Sequence, residues 1–199
     1  LMDTAGVLVQ KTKLGAGSPY VRGLVGNQIL VLVDGVRLNN ATYRFGPNQY
    51  LGTVDPDLLG AIEVVRGPGS VLYGSDAMGG VVNLVTRAPQ FSTSGWTRAL
   101  ESRVGVSAGA VEQRGRLGFS VASPTLAVRG GVSAHNVGDM RAGGSRGSLS
   151  PSGFGEAAGD LALAVRLSPA HLLTATLQAH HPDDVPRWDQ VVQRDFSRY

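Results

Sequence analysis

The sequence predicts two architectures in series. A compact α+β domain occupies residues 1–90, and antiparallel strands of an incomplete transmembrane β-barrel occupy residues 91–199. Three observations lead there. Before Pro89, strand-like runs are short and nearly continuous in apolar residues, which suits strands buried on both faces. After Pro89, apolar and polar residues alternate with period two. With 28 glycines and only 17% charged residues, the chain suits turn-rich β-structure rather than long helices.

In the first domain, Ile29–Val33 reads as a buried strand, and Asp34-Gly35 as a hairpin turn into Val36–Leu38. Gly46-Pro47-Asn48 marks a loop. Leu51–Leu59 predicts a short helix, with Asp55 as N-cap and Pro56 at its first position. Ile62–Val65 and Val81–Val85 read as further buried strands. Between them lie the turn Gly67-Pro68-Gly69, a short helix-compatible piece and a break at Gly79-Gly80.

In the second domain, five segments alternate: Ala99–Ala110, Arg114–Ala122, Thr125–Asn136, Asp160–Leu167 and Leu172–His181. Their lengths are what a transmembrane barrel would supply, although a soluble sandwich also alternates. Ser123-Pro124 and Ser168-Pro169-Ala170 are tight turns, whereas Val137–Glu156 is long and rich in Gly and Ser. If the first strand runs outward, both tight turns fall on the periplasmic side and the long connection outside, as in outer-membrane barrels. Five strands would leave two open edges in lipid, so the rest of the barrel is expected beyond Tyr199.

Composition and motifs exclude several functions. The net charge of +3 is spread evenly, with 7 Lys/Arg against 6 Asp/Glu in residues 1–90 and 11 against 9 in 91–199. No basic block offers a nucleic-acid interface. There is no cysteine for a disulfide or a thiolate metal site. No apolar run approaches the roughly 20 residues of a membrane-spanning helix. Gly67-x-Gly69 lacks the third glycine of a dinucleotide fingerprint, and no phosphate loop or Gly-x-Ser-x-Gly elbow occurs. Ser70, Asp76 and the downstream histidines could be strung into a triad only by geometry that the sequence does not supply. No catalytic residue, cofactor or metal site is assigned. His135 and His180 are expected to face the lumen near the outer rim; as adjacent strand residues, His180 and His181 point to opposite faces.

The stretch Ile62–Thr86 (IEVVRGPGSVLYGSDAMGGVVNLVT) closely resembles the signature of the plug domain of TonB-dependent outer-membrane receptors. Val31–Asn40 (VLVDGVRLNN) matches a second family segment in the family's order and spacing. Gly6-Val7-Leu8-Val9 followed by Val21-Arg22-Gly23 matches the family's opening. Val185–Asp189 (VPRWD) also looks like a family segment.

This resemblance implies a globular plug inside a large barrel in the bacterial outer membrane. The implied function is to bind and import a scarce nutrient such as a ferric siderophore, cobalamin or haem. The implied partners are TonB with its inner-membrane energising complex, a metal-chelate or similar small molecule, and outer-membrane lipid. The TonB-contacting motif would precede Leu1. Arg22 and Arg66 match the plug arginines that pair with barrel glutamates in family members, with Glu101 as one candidate partner; the other reading is that each caps a local turn. Asn39–Gly52 matches a plug apical loop, which makes Tyr43, Arg44, Phe45, Asn48, Gln49 and Tyr50 the candidate ligand contacts. A neighbouring apex is expected at Gln10–Ser18. The alternatives are a soluble β-rich enzyme, which needs a catalytic constellation, and a surface-binding module, for which repeats would be expected.

Overall fold

The computed structural model describes residues 4–13, 15–39, 50–108, 111–143 and 147–183. The chain divides into two compact units, Leu1–Arg87 and Ala88–Tyr199.

The first unit opens with a hairpin of β1 (Val7–Lys13) and β2 (Ala16–Val21). The segment expected to form an apical loop at Gln10–Ser18 therefore lies largely in paired strand. Next come β3 (Ile29–Val33), β4 (Val36–Arg37), β5 (Leu59–Arg66), the single-turn helix α1 (Ser70–Tyr73) and β6 (Gly80–Thr86). The sheet order is β4-β3-β6-β5, with β3 parallel to β6 and the other neighbours antiparallel.

The continuous apolar run of β3 is explained by burial on both faces. Ile29 joins a core with Val7, Val21, Val54, Val82 and Leu84. Leu30 and Leu32 join a second core with Ala77 and Val81. The Asp34-Gly35 turn forms as expected, with Val33 opposite Val36 and both turn residues at positive φ.

Two expectations are corrected. Ile62–Val65 reads as buried, but β5 is an edge strand, and Ile62 is 42% and Val65 41% exposed. Leu51–Leu59 is not one helix but two 3-10 turns, Tyr50–Thr53 and Pro56–Leu58. Asp55 does cap the second, accepting from the Asp57 N–H at 2.9 Å. Pro56 disfavours helical backbone at the residue before it, and β5 begins at Leu59, so there is no room for a longer helix.

The glycine pair Gly79-Gly80 lets β6 enter the sheet. A Cβ at Gly79 would stand 2.7 Å from both Ile29 and Leu24, and one at Gly80 would collide with the Val65 carbonyl oxygen. Only glycine allows so close an approach of backbone.

The second unit contains β7 (Thr97–Ser107), β8 (Glu112–Ala122), β9 (Leu126–Val137), β10 (Met140–Arg141), β11 (Ser148–Leu149), β12 (Phe154–Ser168) and β13 (His171–Pro182). Five of them form an antiparallel sheet in the order β13-β12-β9-β8-β7, and β10 pairs with β11 inside the long connection. Strand β12 starts well before the expected Asp160, because Gly155, Glu156 and Gly159 interrupt the apolar alternation that marks its later part.

Register carries the alternation across the sheet. Arg116 stands opposite Ser133, which stands opposite Ala158, which stands opposite His180. The other face is mainly apolar, with Arg98, Gln113, Asn136 and His181 toward its two ends, and it is open: Leu100 is 90% exposed, Val104 85% and Leu177 69%. Large exposed apolar surfaces on this scale mark contact with a non-aqueous partner. The opposite face carries most of the charged residues, among them Glu101, Arg103, Arg116, Arg129 and Asp160. Tight turns close one end of the sheet, where the Ser123 Oγ accepts from the Leu126 N–H at 2.9 Å. Residues 108–111 and 138–153 connect strands at the other end.

Candidate functional site

In the first unit, polar side chains replace sheet hydrogen bonds where strands stop. Asn39, buried, accepts from the Val31 N–H and donates to the Ile29 carbonyl, both at 2.8 Å. It extends the β3–β4 pairing by one more rung and fixes where the chain leaves the sheet toward residues 40–49. The Asp34 carboxylate accepts from the Thr86 N–H and hydroxyl, both at 2.7 Å. Asn83 accepts from the Gly35 N–H at 3.1 Å and donates to Glu63 at 2.9 Å.

Arg37 clamps the turn after α1. It pairs with Asp76 at 2.8 Å and donates to the Ser75 hydroxyl at 3.2 Å and the Ser75 carbonyl at 3.0 Å. Asp76 thus serves a structural ion pair, which counts against a catalytic role for it.

The two arginines singled out in the sequence meet around residues 5–6. Arg66 donates to the Ala5 carbonyl at 2.9 Å, and the Arg22 backbone N–H donates to the Gly6 carbonyl at 3.0 Å. Arg22 has φ +53, and its guanidinium lies 3.3 Å from where a Cβ on Gly67 would stand. Within this unit, neither arginine pairs with a carboxylate among the described residues.

Of the six ligand-contact candidates, Tyr43, Arg44, Phe45, Asn48 and Gln49 lie outside the described residues. Tyr50 opens the first 3-10 turn. Asn39, the loop's anchor, has no signal in the local sequence that separates it from Asn40; only the sheet's register identifies it.

In the second unit, the polar face holds two charged groupings. Nearer its middle, Arg116 pairs with Asp160, each side chain only 2% exposed, and Arg129 stands 3.4 Å from the other Asp160 oxygen. Guanidinium groups flanking one carboxylate suit a buried setting, where an uncompensated charge would be costly. Gly131 makes room, since a Cβ there would lie 2.7 Å from the Arg116 guanidinium and 2.7 Å from the Leu117 carbonyl. Glu101, the candidate latch partner, pairs with Arg103 of its own strand.

Toward the end bearing the long connection, four side chains form a line across β8, β9, β12 and β13. The Glu112 carboxylate lies 3.0 Å from His135 Nε2, Glu156 lies 2.7 Å from His135 Nδ1, and Glu156 lies 3.2 Å from His180 Nε2. Alternation placed His135 and His180 on this face; their carboxylate partners became visible only with the register. The groups form a line rather than converging, and no metal-holding cluster is found among the described residues. A concavity of about 490 Å³ adjoins the line, bounded in part by Arg114, His135, Glu156, His181 and Asp183.

The long connection is tied at its base. Asp139 accepts from the Ser152 N–H at 2.7 Å and the Gly153 N–H at 2.8 Å. These backbone donors hold the Asp139 carboxyl below the usual aspartate range.

Comparison with known proteins places these features. Residues 1–81 match the model of the TonB-dependent Receptor Plug Domain family. The chain is similar to the vitamin B12 transporter BtuB of Vibrio vulnificus, 40% identical over 77 residues, or 39% of this chain and 12% of that protein. It is similar also to an iron-regulated outer membrane virulence protein of Vibrio cholerae, 46% identical over 79 residues, 38% of this chain and 12% of that protein. The chain thus spans about an eighth of the length of these relatives.

Among solved structures, the copper transporter OprC superposes with a TM-score of 0.73 at 21% identity, covering 89% of this chain and 26% of that one. The pyoverdine outer membrane receptor FpvA of Pseudomonas aeruginosa PAO1, bound to pyoverdine, gives 0.64 at 19% identity, covering 89% and 24%. The siderophore receptor PirA of Acinetobacter baumannii gives 0.60 at 22% identity, covering 90% and 28%. At these identities the likeness is one of fold. The expected resemblance to TonB-dependent receptors is shown by these matches.

Proposed function

We infer that this chain comes from a TonB-dependent outer-membrane receptor, and propose that it contributes the plug and opening wall strands of a transporter for a metal-chelate or cobalamin-like cargo. The plug-domain match over residues 1–81 carries this reading. The second unit supports it: one open apolar sheet face suits lipid, the opposite face is charged, and turn lengths differ between the two ends as in outer-membrane barrels.

In this reading the receptor binds its cargo from outside and imports it without chemistry on the cargo, with the plug as gate. The work comes from TonB and its inner-membrane complex. Cargo contacts are assigned to Tyr43, Arg44, Phe45, Asn48, Gln49 and Tyr50, because Asn39 anchors this segment to a rigid sheet. The cargo class follows the relatives: a ferric siderophore or cobalamin, with haem as a further member. A soluble enzyme is not favoured, since the matched proteins include a vitamin B12 transporter and an iron-regulated outer membrane protein. Arg22 and Arg66 are proposed to hold the plug at rest, and they also tie down residues 5–6.

Titrating the detergent-purified protein with ferric siderophores, cobalamin and haem, followed by tryptophan quenching, tests this. Saturable quenching by one class is expected. Quenching by none of the panel would overturn the cargo assignment.

A further inference from the structure

The line Glu112–His135–Glu156–His180 has a proton count that does not close with neutral histidines. Its three contacts, at 3.0, 2.7 and 3.2 Å, each need one hydrogen. Carboxylates supply none, and a neutral imidazole supplies one N–H. His135 is held at both ring nitrogens, so with both glutamates ionised it donates twice. His180 supplies the third hydrogen from Nε2. The line therefore holds one proton more than two carboxylates and two neutral imidazoles.

We propose that this line is a protonation-dependent brace across the outer rim of the sheet: it closes when the extra proton binds at His135 and opens when that proton leaves to solvent. The inference rests on the outer-membrane reading only for which end is the outer one. Four strands are tied by three contacts, and His135 is steadied by the edge of Phe154, ring centroids 5.8 Å apart at 81°. His135 and Glu156 also border the concavity, so the brace sets its wall.

The surrounding charges are of both signs. On β8, Arg114 is the register partner of His135, and Arg116 lies one rung inward. On β7, Arg103 stands opposite Arg116, and Glu101 lies beyond it. On β12, Asp160 follows Glu156 along the same face, and β13 presents His180 and neutral Gln178. The arginines oppose the extra proton; Glu112, Glu156 and Asp160 favour it. With the proton lost, one His135 nitrogen presents a lone pair to a carboxylate, and that contact becomes repulsive. The bracing is therefore present while His135 carries the extra proton and lost when that proton leaves, so it weakens in the direction of rising pH.

Hydrogen exchange of the purified protein in detergent, measured from about pH 5.5 to about pH 8, where imidazoles change charge, reads this directly. After correction for intrinsic exchange, the strand ends 112–115, 134–137 and 154–157 should lose protection by about tenfold as pH rises, as for loss of a charge-assisted hydrogen bond. The tight-turn end should not change.

His135→Gln should abolish the pH dependence. Glu112→Gln is the sharper variant: its amide donates to the His135 lone pair, so protection should persist at high pH. A flat wild-type profile, or a Glu112→Gln profile identical to wild type, would overturn the proposal. The wild-type profile decides even if a variant fails to fold. Loss of cargo binding with the pH profile intact would fault the receptor reading instead.

Discussion

Arg116 and Asp160, buried against each other on the polar face, make the most demanding residue-level contact in the second unit. Removing one member leaves the other charged and buried, which costs about 3–5 kcal/mol. Asp160→Ala should therefore lower the melting temperature of the folded, heat-modifiable form far more than Glu101→Ala, whose partner Arg103 is 43% exposed at its side chain. Gly131→Ala should also destabilise, because one of the atoms its Cβ meets is a backbone carbonyl that cannot swing aside. In the first unit, Asn39→Ala would leave the Val31 N–H and Ile29 carbonyl without their side-chain partners, a loss of about 1–3 kcal/mol for a buried group. Chemical unfolding checks it; an unchanged midpoint would show that water replaces the amide. Period-two alternation along β8 and β9 sets Arg116 and Arg129 apart from the apolar residues of their own strands. That Asp160 meets both is a fact of register between β8, β9 and β12, which no local pattern records.

At the scale of elements, the long connection between β9 and β12 is closed by Asp139. Its carboxyl lies below the ordinary value of 3.8 because the Ser152 and Gly153 N–H groups favour the charged form. The closure is thus complete at neutral pH and is lost as pH falls below 3.8 through the lowered value. Asp139→Ala should open the base at all pH values and raise protease cleavage within residues 140–152, with the sheet intact. Unaltered cleavage would mean that the β10–β11 pairing alone holds the connection. Elements of the second unit were largely legible, since period-two alternation reports a half-exposed sheet directly. The first unit was less so. Apolar runs identify strands but not their rank, so edge strand β5 reads like central β3 and β6. The parallel pairing of β3 with β6 spans the whole β4–β5–α1 segment and leaves no local trace.

At the scale of the whole molecule, the plug assignment came from a contiguous motif, Ile62–Thr86, whose parts now have physical roles. Gly79-Gly80 admits backbone contact, and Asp76 is held by Arg37. The cargo contacts were placed by resemblance and fall largely outside the described residues, so ligand identity was the least legible feature. Arg66→Ala should impair uptake more than binding, because it loosens residues 5–6 from β5 without touching the cargo loop. Equal uptake at equal surface abundance would remove Arg66 from the gating step. Shortening residues 40–50 should do the reverse and weaken binding.

The central claim is TonB-dependent import, and uptake measured in matched cells with and without TonB tests it most directly. Cells producing the protein would be offered ferric siderophores, cobalamin and haem in turn. The account predicts saturable accumulation of one class that disappears when TonB is absent. Accumulation that is equal in both strains would contradict it.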